Sequence, residues 1–256
     1  IGYPTLEDFQ IIKSNQELLQ ENQLSIRTLF LSLDPYMRGR MTATKSYAKN
    51  LEIGEVMTGE IIGIVENSSS ENIPEGSIVL SKSGWQSNPI VNQDQVSIID
   101  SRIDPITLAL GAIGMPGLTA YFGLTKIGKP KPGETVVVSA GSGAVGATVG
   151  QIAKSMGCRV IGIAGSKEKI NYMTENLGFD EGINYKESDW IENFKRSCKE
   201  GVDIYFDNVG GSISDSVIDE INDFARVIVC GQISQYNNSE PELGPRNMHK
   251  FLIKQA

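Results

Sequence analysis

The 256-residue chain predicts an α/β protein in two parts: a β-rich first part, then a doubly wound parallel sheet. Three observations carry this. Residues 1–105 hold short apolar runs between turn residues and show no long helical period. From Thr135 onward, β-branched apolar runs alternate with helix-length stretches, the spacing of βαβ units with right-handed crossovers. The first of those runs feeds straight into a glycine-rich turn that opens a helix. The pattern changes at Asp104-Pro105, so two domains are expected, 1–105 and 106–256.

In the first domain, strands are expected at Ile26–Leu33, Val56–Val65, Ser77–Leu80 and Val96–Ile99, punctuated by turn chemistry such as Pro74-Glu75-Gly76. Glu66 to Glu75, with its consecutive serines, reads as a surface loop, and the whole as a small twisted barrel or sheet. In the second, Ile106 to Leu124 reads as two short buried helices meeting at Gly114-Met115-Pro116-Gly117. Lys129-Pro130-Lys131-Pro132-Gly133 interrupts the chain. The order then is strand Thr135–Ser139, helix to Met156, strand Arg159–Ala164, helix Lys167–Leu177 and strand Gly182–Tyr185. A helix near Asp189–Cys198, strand Val202–Phe206, helix Ser212–Ile221 and strand Arg226–Cys230 complete it.

Composition narrows the function. Acids outnumber bases 31 to 23, for a net charge of −8, which lacks the basic stripe needed to neutralise a nucleic acid. Apolar residues at 40% are too many for a disordered chain. Cys158, Cys198 and Cys230 are far apart, and His249 is the sole histidine, so a disulfide framework, a His/Cys zinc site and a His-based triad all lack material. Metal is therefore not expected, and the free thiols suit a cytoplasmic protein. The uncharged stretches Ile106–Thr125 and Thr135–Ala153 approach the roughly 20 residues a bilayer needs, but their glycine density argues for turns and close packing rather than a membrane span. No secretory signal opens the chain, and it begins at Ile1 rather than methionine, so a fragment is expected at that end.

The most informative motif is Gly141-Ser142-Gly143-Ala144-Val145-Gly146, a G-x-G-x-x-G between the strand Val136-Val137-Val138-Ser139 and a helix continuing through Val149 and Ile152. Small residues there let the backbone turn sharply and let a pyrophosphate approach the unpaired amides of the helix start. Roughly 20 residues on, an acid would grip the ribose of NAD. The chain instead has Ala164-Gly165-Ser166-Lys167, then Glu168 and Lys169, which favours the 2′-phosphate of NADP(H). Asp207-Asn208-Val209-Gly210-Gly211 and Gly231 to Asn237 fall at later strand ends, where ligands of doubly wound sheets bind; ordinary turn chemistry is the alternative.

Several segments together resemble the zinc-free medium-chain dehydrogenase/reductases, in the prostaglandin reductase and alkenal double-bond reductase branch. They are Leu31 to Met41, Gly114 to Gly123, Ala140 to Gly146, Tyr205 to Gly211 and Cys230 to Asn237, in the family's order. The resemblance implies a GroES-like β-barrel domain followed by a Rossmann domain, with NADPH in the cleft between them. It puts the pyrophosphate turn on Gly143, Ala144, Val145 and Gly146. The 2′-phosphate contacts fall on Lys169 and Tyr185, with Lys167 as the alternative because one extra residue intervenes. Asn208 and the loop residues Cys230, Gly231, Ile233, Ser234 and Tyr236 would line the ribose and nicotinamide, and Tyr36, Tyr47 and Met115 would border the substrate. The resemblance also implies an opening strand before Ile1, a sixth Rossmann strand after Ala256 and a homodimer joined there.

The activity so implied is reduction of the double bond of an α,β-unsaturated ketone or aldehyde, by hydride transfer from NADPH to the β-carbon. Charge developing on the carbonyl oxygen would meet a hydroxyl donor, with Tyr236 and Tyr47 the candidates, and the α-carbon would take a proton from tyrosine or water. A metal-free quinone reductase and a non-catalytic NADPH-binding sensor or structural protein are the alternatives.

Overall fold

Strands β1 (Gln23–Leu31), β2 (Ile61–Ser68), β3 (Ile78–Ser81), β4 (Ile90–Asn92) and β5 (Val96–Ile98) pair entirely antiparallel, in the order β4-β1-β2-β3-β5. The computed structural model describes residues 2–14, 17–43, 48–240 and 242–256. β4 and β5 lie on opposite edges of this sheet, yet only the single turn Gln93–Gln95 joins them, so the sheet must curl round as a half-barrel. Leu24, Ile26, Ile61, Val65, Ile73, Val79 and Val91 fill its inside. Two register shifts bend β1, one between Ser25 and Ile26 and one between Thr28 and Phe30. The expected surface loop is half right: Glu66–Ser68 extend β2, and only the residues beyond them leave the sheet. β4 and the one-turn helix α1 (Tyr36–Arg40) have no counterpart among the expected elements.

The chain divides into two compact units, Ile1–Gly114 and Met115–Ala256. This division and the expected junction at 105/106 leave residues 106–114 on different sides. The stretch expected to form two buried helices becomes a 3-10 turn (Ile106–Leu110), then helix α2 (Met115–Phe122) continued by a π-helical turn (Gly123–Gly128). Burial is confined to one side of α2, at Pro116, Gly117 and Ala120; Leu118, Tyr121 and Phe122 are exposed. Neither candidate membrane span survives, since Thr135–Ala153 is a strand, a turn and part of a helix. No described helix is long and apolar enough to cross a membrane.

The second unit alternates as the sequence requires. Strands β6 (Thr135–Ser139), β7 (Arg159–Ala164), β8 (Glu181–Asn184), β9 (Val202–Asp207) and β10 (Ile221–Val229) form a wholly parallel sheet ordered β10-β9-β6-β7-β8. Between them run α3 (Ala144–Ser155), α4 (Lys167–Asn171, prolonged by a π turn at Tyr172–Asn176), α5 (Trp190–Ser197) and α6 (Gly211–Ile218). Helix α7 (His249–Lys254) follows the sheet in the chain. The two-residue period of buried strands assigns side chains to faces. Val136, Val138, Ile204 and Phe206 join one core with α2 and α3, while Val137, Ile161, Ile163 and Tyr205 join the other with Phe194 of α5 and with α6. Strand order reverses between β6 and β9, so the C-terminal ends of these two strands are where this topology leaves a crevice for a ligand.

Candidate functional site

The turn after β6 is shaped by three close approaches. Ala140 takes a left-handed conformation (φ +51°), and the Gly143 amide closes the turn onto its carbonyl at 2.9 Å. A Cβ on Gly146 would stand 2.3 Å from the Ala140 oxygen and 2.9 Å from Gly141 Cα, so only glycine lets α3 start against this turn. Gly143 differs: a Cβ there would meet nothing nearer than the Ala140 oxygen at 3.2 Å, and Gly143 and Ala144 are exposed. No oxygen among the described residues accepts the amides of Ala144, Val145 and Gly146. A solvent-exposed glycine backed by three unpaired helix-start amides fits a pyrophosphate.

At the ends of β7 and β8, the Tyr185 ring crosses the Gly165 backbone. A Cβ on Gly165 would sit 2.9 Å from ring Cε1 and 3.0 Å from the hydroxyl oxygen, and the Tyr185 amide donates to the Ala164 carbonyl at 3.1 Å. Ser166 caps α4 by accepting the Lys169 amide at 3.4 Å. Lys167 and Lys169 are exposed, and neither has an ion-pair partner among the described residues. Glu168 is the first carboxylate after β7. A cationic, hydroxyl-bearing surface without an acid at the strand end fits a ribose 2′-phosphate better than a free 2′-hydroxyl.

The ends of β9 and β10 are stitched to each other. The Asn208 side-chain amide donates to the Ser139 carbonyl at 2.8 Å, and the Asn208 backbone amide to Ser139 Oγ at 2.9 Å. Cys230 and Gly231 amides donate to the Asp207 carbonyl at 2.8 and 3.0 Å; those of Ile233 and Ser234 donate to Asn208 and Val209. Ser234 Oγ donates to the Val209 carbonyl at 2.7 Å. Tyr236 folds back over Gly231, and its hydroxyl oxygen accepts the Gln232 amide at 3.2 Å. Asn208, Cys230, Gly231, Ile233, Ser234 and Tyr236 thus belong to one loop pair at the sheet's C-terminal edge, beside the turn that carries Gly143–Gly146.

Sequence reading passed over the polar cluster beneath these loops. Buried Asp207 accepts from the Tyr205 hydroxyl (2.9 Å), Ser139 Oγ (3.2 Å) and Ser214 Oγ, and from the amides of Val209 and Gly210 (2.9 Å each). Burial, then the Asp207 charge, pushes the Tyr205 phenol far above the ordinary tyrosine range. The one signal available was the polar Ser139 and Asp207 ending two otherwise apolar strands.

The remaining candidates lie elsewhere. Tyr36 begins α1 in the first unit, with the Arg40 guanidinium 5.5 Å from its ring centre. Burial, then the charges of Asp34 and Glu60, raises its pKa, against a hydrogen bond with Thr58. Met115 begins α2 in the second unit and is half-buried. Tyr47 lies outside the described residues. Burial pushes the Cys198 thiol up to about 12 and also raises that of Cys158; exposed Cys230 is raised by its surroundings and by Asp207.

The chain matches two family descriptions: "N-terminal domain of oxidoreductase" over residues 1–99 and "Zinc-binding dehydrogenase" over residues 144–255. Among the described residues, no group of three or more His, Cys, Asp or Glu is placed to hold a metal ion. The chain is 44% identical over 244 residues to the NADPH-dependent curcumin reductase of Escherichia coli, covering 95% of this chain and 71% of that one. Prostaglandin reductase 1 of Bos taurus is 43% identical over 257 residues, with 99% and 75% covered. The NADP(+)-dependent 2-alkenal reductase of Nicotiana tabacum is 40% identical over 259 residues, again with 99% and 75% covered. The crystal structure of CurA from Vibrio vulnificus in complex with NADPH superposes with a TM-score of 0.93 at 45% identity, covering 100% of this chain and 77% of that one. The chain belongs to the medium-chain dehydrogenase/reductase family, in its prostaglandin reductase and alkenal reductase branch.

Proposed function

We propose that this protein is an NADPH-dependent reductase of the carbon–carbon double bond in α,β-unsaturated aldehydes and ketones. The observation that carries the cofactor half is the strand-end surface itself: exposed Gly143 with unpaired amides behind it, and a β7 end offering Tyr185 and two lysines with no ion-pair partner among the described residues, instead of an acid. The substrate half is supported by relatives named for curcumin, prostaglandins and 2-alkenals.

When bound, the reduced nicotinamide supplies a hydride for the β-carbon of the substrate. The chain's own work is binding and proton handling. The amides of Ala144, Val145 and Gly146 take the pyrophosphate, with Gly143 allowing its approach; Tyr185 and Lys169, or Lys167 in its place, take the 2′-phosphate. Asn208 and the loop carrying Cys230, Gly231, Ile233 and Ser234 take the ribose and nicotinamide. The Tyr236 hydroxyl oxygen already accepts the Gln232 amide, which polarises its remaining O–H toward donation. That O–H donates a hydrogen bond to the negative charge growing on the substrate carbonyl oxygen, with Tyr47 the second candidate for the task, and the α-carbon of the resulting enolate takes its proton from tyrosine or water. Tyr36 and Met115 border the substrate.

NADPH oxidation followed against trans-2-alkenals, enones and benzoquinones tests the reading. Alkenal and enone turnover should exceed that of quinones. Alkenal turnover below one-hundredth of quinone turnover would reject it in favour of a quinone reductase, and binding of NADPH without any turnover would favour a non-catalytic role.

A further inference from the structure

The end of β6, the end of β9 with its following turn, and the start of α6 converge on one buried carboxylate. Oδ1 of Asp207 accepts from Tyr205, Ser139, Val209 and Gly210, and Oδ2 accepts from Ser214. Its backbone carbonyl meanwhile holds Cys230 and Gly231. Ser139, which donates to Asp207, also accepts the Asn208 amide, linking the β6 end to the β9 end. Asp207 is 5% exposed and has no cationic partner among the described residues; hydroxyls and amides alone satisfy it. An apolar side chain in that place would take the acceptor from two amides and three hydroxyls at once, so this one carboxylate ties the end of β6, the turn after β9 and the start of α6 together.

We propose that Asp207 is a positioning residue for the nicotinamide half of the cofactor, holding Asn208 and the loop from Cys230 to Tyr236 in register with the turn after β6. This rests on the nucleotide reading given above. The adenosine end is built from other parts. Tyr185, Gly165 and the α4 lysines lie at the ends of β7 and β8 and share no hydrogen bond with Asp207. Loosening Asp207 therefore weakens ligands that reach the nicotinamide subsite and spares those that do not.

Asp207→Asn is the informative variant. It keeps one carbonyl oxygen for the Val209 and Gly210 amides and turns the other atom into a donor that the Ser214 hydroxyl can accept. The bonds survive in kind but lose the assistance of charge. Fluorescence titration of the purified protein with NADPH, and calorimetric titration with the fragment 2′,5′-ADP, gives the readout. For Asp207→Asn, the NADPH dissociation constant should rise at least fivefold while that of 2′,5′-ADP stays within twofold of wild type. An unchanged NADPH constant, or equal weakening of both ligands, overturns the proposal. If Asp207→Asn does not fold by circular dichroism, Ser139→Ala decides: it removes the acceptor of the Asn208 amide and one donor to Asp207. A threefold or larger loss confined to NADPH supports the assignment, and no loss or an equal loss overturns it. Wild-type protein that binds neither ligand would refute the nucleotide reading itself, whereas wild-type binding with unaffected variants would refute only the role of Asp207.

Discussion

The hydroxyl end of Tyr185 occupies the space a side chain on Gly165 would need: a Cβ there would lie 3.0 Å from ring Cζ and from the hydroxyl oxygen. The two residues directly follow adjacent parallel strands, and glycine in the first is what allows the ring of the second to approach the β7 terminus so closely. Gly165→Ala should swing the exposed Tyr185 ring outward with little cost in stability. Titration should show NADPH binding weakened severalfold, NADH binding unchanged, and a Tm shift under about 2 °C. Equal weakening of both nucleotides would mean that Tyr185 does not read the 2′-phosphate.

Gly143 and Gly146 should respond differently to the same methyl group. Gly146→Ala drives a Cβ into backbone atoms that cannot rotate away, and overpacking of that kind costs about 1–3 kcal/mol. Gly143→Ala brings a Cβ to 3.2 Å from one backbone oxygen, a tight contact that a shift of a few tenths of an ångström relieves, so the fold is kept, but it narrows the face where the pyrophosphate would sit. Thermal denaturation should show a lowered Tm for Gly146→Ala only, while nucleotide titration should show loss of binding in both.

Tyr236→Phe removes a hydroxyl whose only described partner is the Gln232 amide on an exposed loop. Folding should be unaffected. Loss of one preorganised donor to a developing oxyanion costs on the order of 100-fold in kcat. Steady-state kinetics should therefore show kcat reduced with the KM for NADPH within about threefold. If kcat is unchanged and Tyr47→Phe produces the loss instead, the proton donor is Tyr47.

Stability should carry an acid limb set partly by Glu134. Burial raises its pKa, but the hydrogen bonds from Arg226 and the Lys131 amide outweigh that and hold it below the usual glutamate range. A depressed folded value means that the ionised form stabilises the fold above the unfolded pKa. That contribution is lost as pH falls through the folded value, from about pH 4.5 downward. Arg226→Met should cost about 2 kcal/mol at pH 7, because it leaves Glu134 half-buried without its cation. The gap between variant and wild type should narrow below pH 4. Urea denaturation at pH 7 and pH 3.5 measures both; a constant gap would mean that the ion pair contributes nothing.

The parts of the fold that were legible are those in which one local signal dominates. β6 and β7 occupy the expected residues because each is a continuous apolar run ended by a change to polar or small residues. β10 begins at Ile221, well before the expected Arg226, because a bulge at Phe224 (φ +60°) carries Asn222 and Asp223 past their partner strand; polar residues in a bulge do not read as a strand. β4 is three residues long and leaves no period to detect. The apolar run of α2 reads as buried, whereas Leu118, Tyr121 and Phe122 are exposed, since apolarity alone does not say which side of a helix meets a core.

The candidate site divides in the same way. Its glycine turn and strand-end loops were legible because they are contiguous motifs with a stated mechanical need. The Ser139–Asp207–Ser214 cluster was not, because only the β6–β9 pairing brings residues so far apart in sequence together. Tyr36 and Met115 were named through resemblance, and neither hydrophobic period nor turn chemistry marks them.

Nucleotide discrimination tests the central claim most directly. Fluorescence titration of the purified protein should give a dissociation constant for NADPH at least tenfold below that for NADH, and Lys169→Ala should erase most of that ratio. Equal affinity for the two coenzymes, or no binding of either, would contradict the account. An intact ratio in Lys169→Ala with a collapsed one in Lys167→Ala would move the phosphate contact by two residues and leave the rest standing.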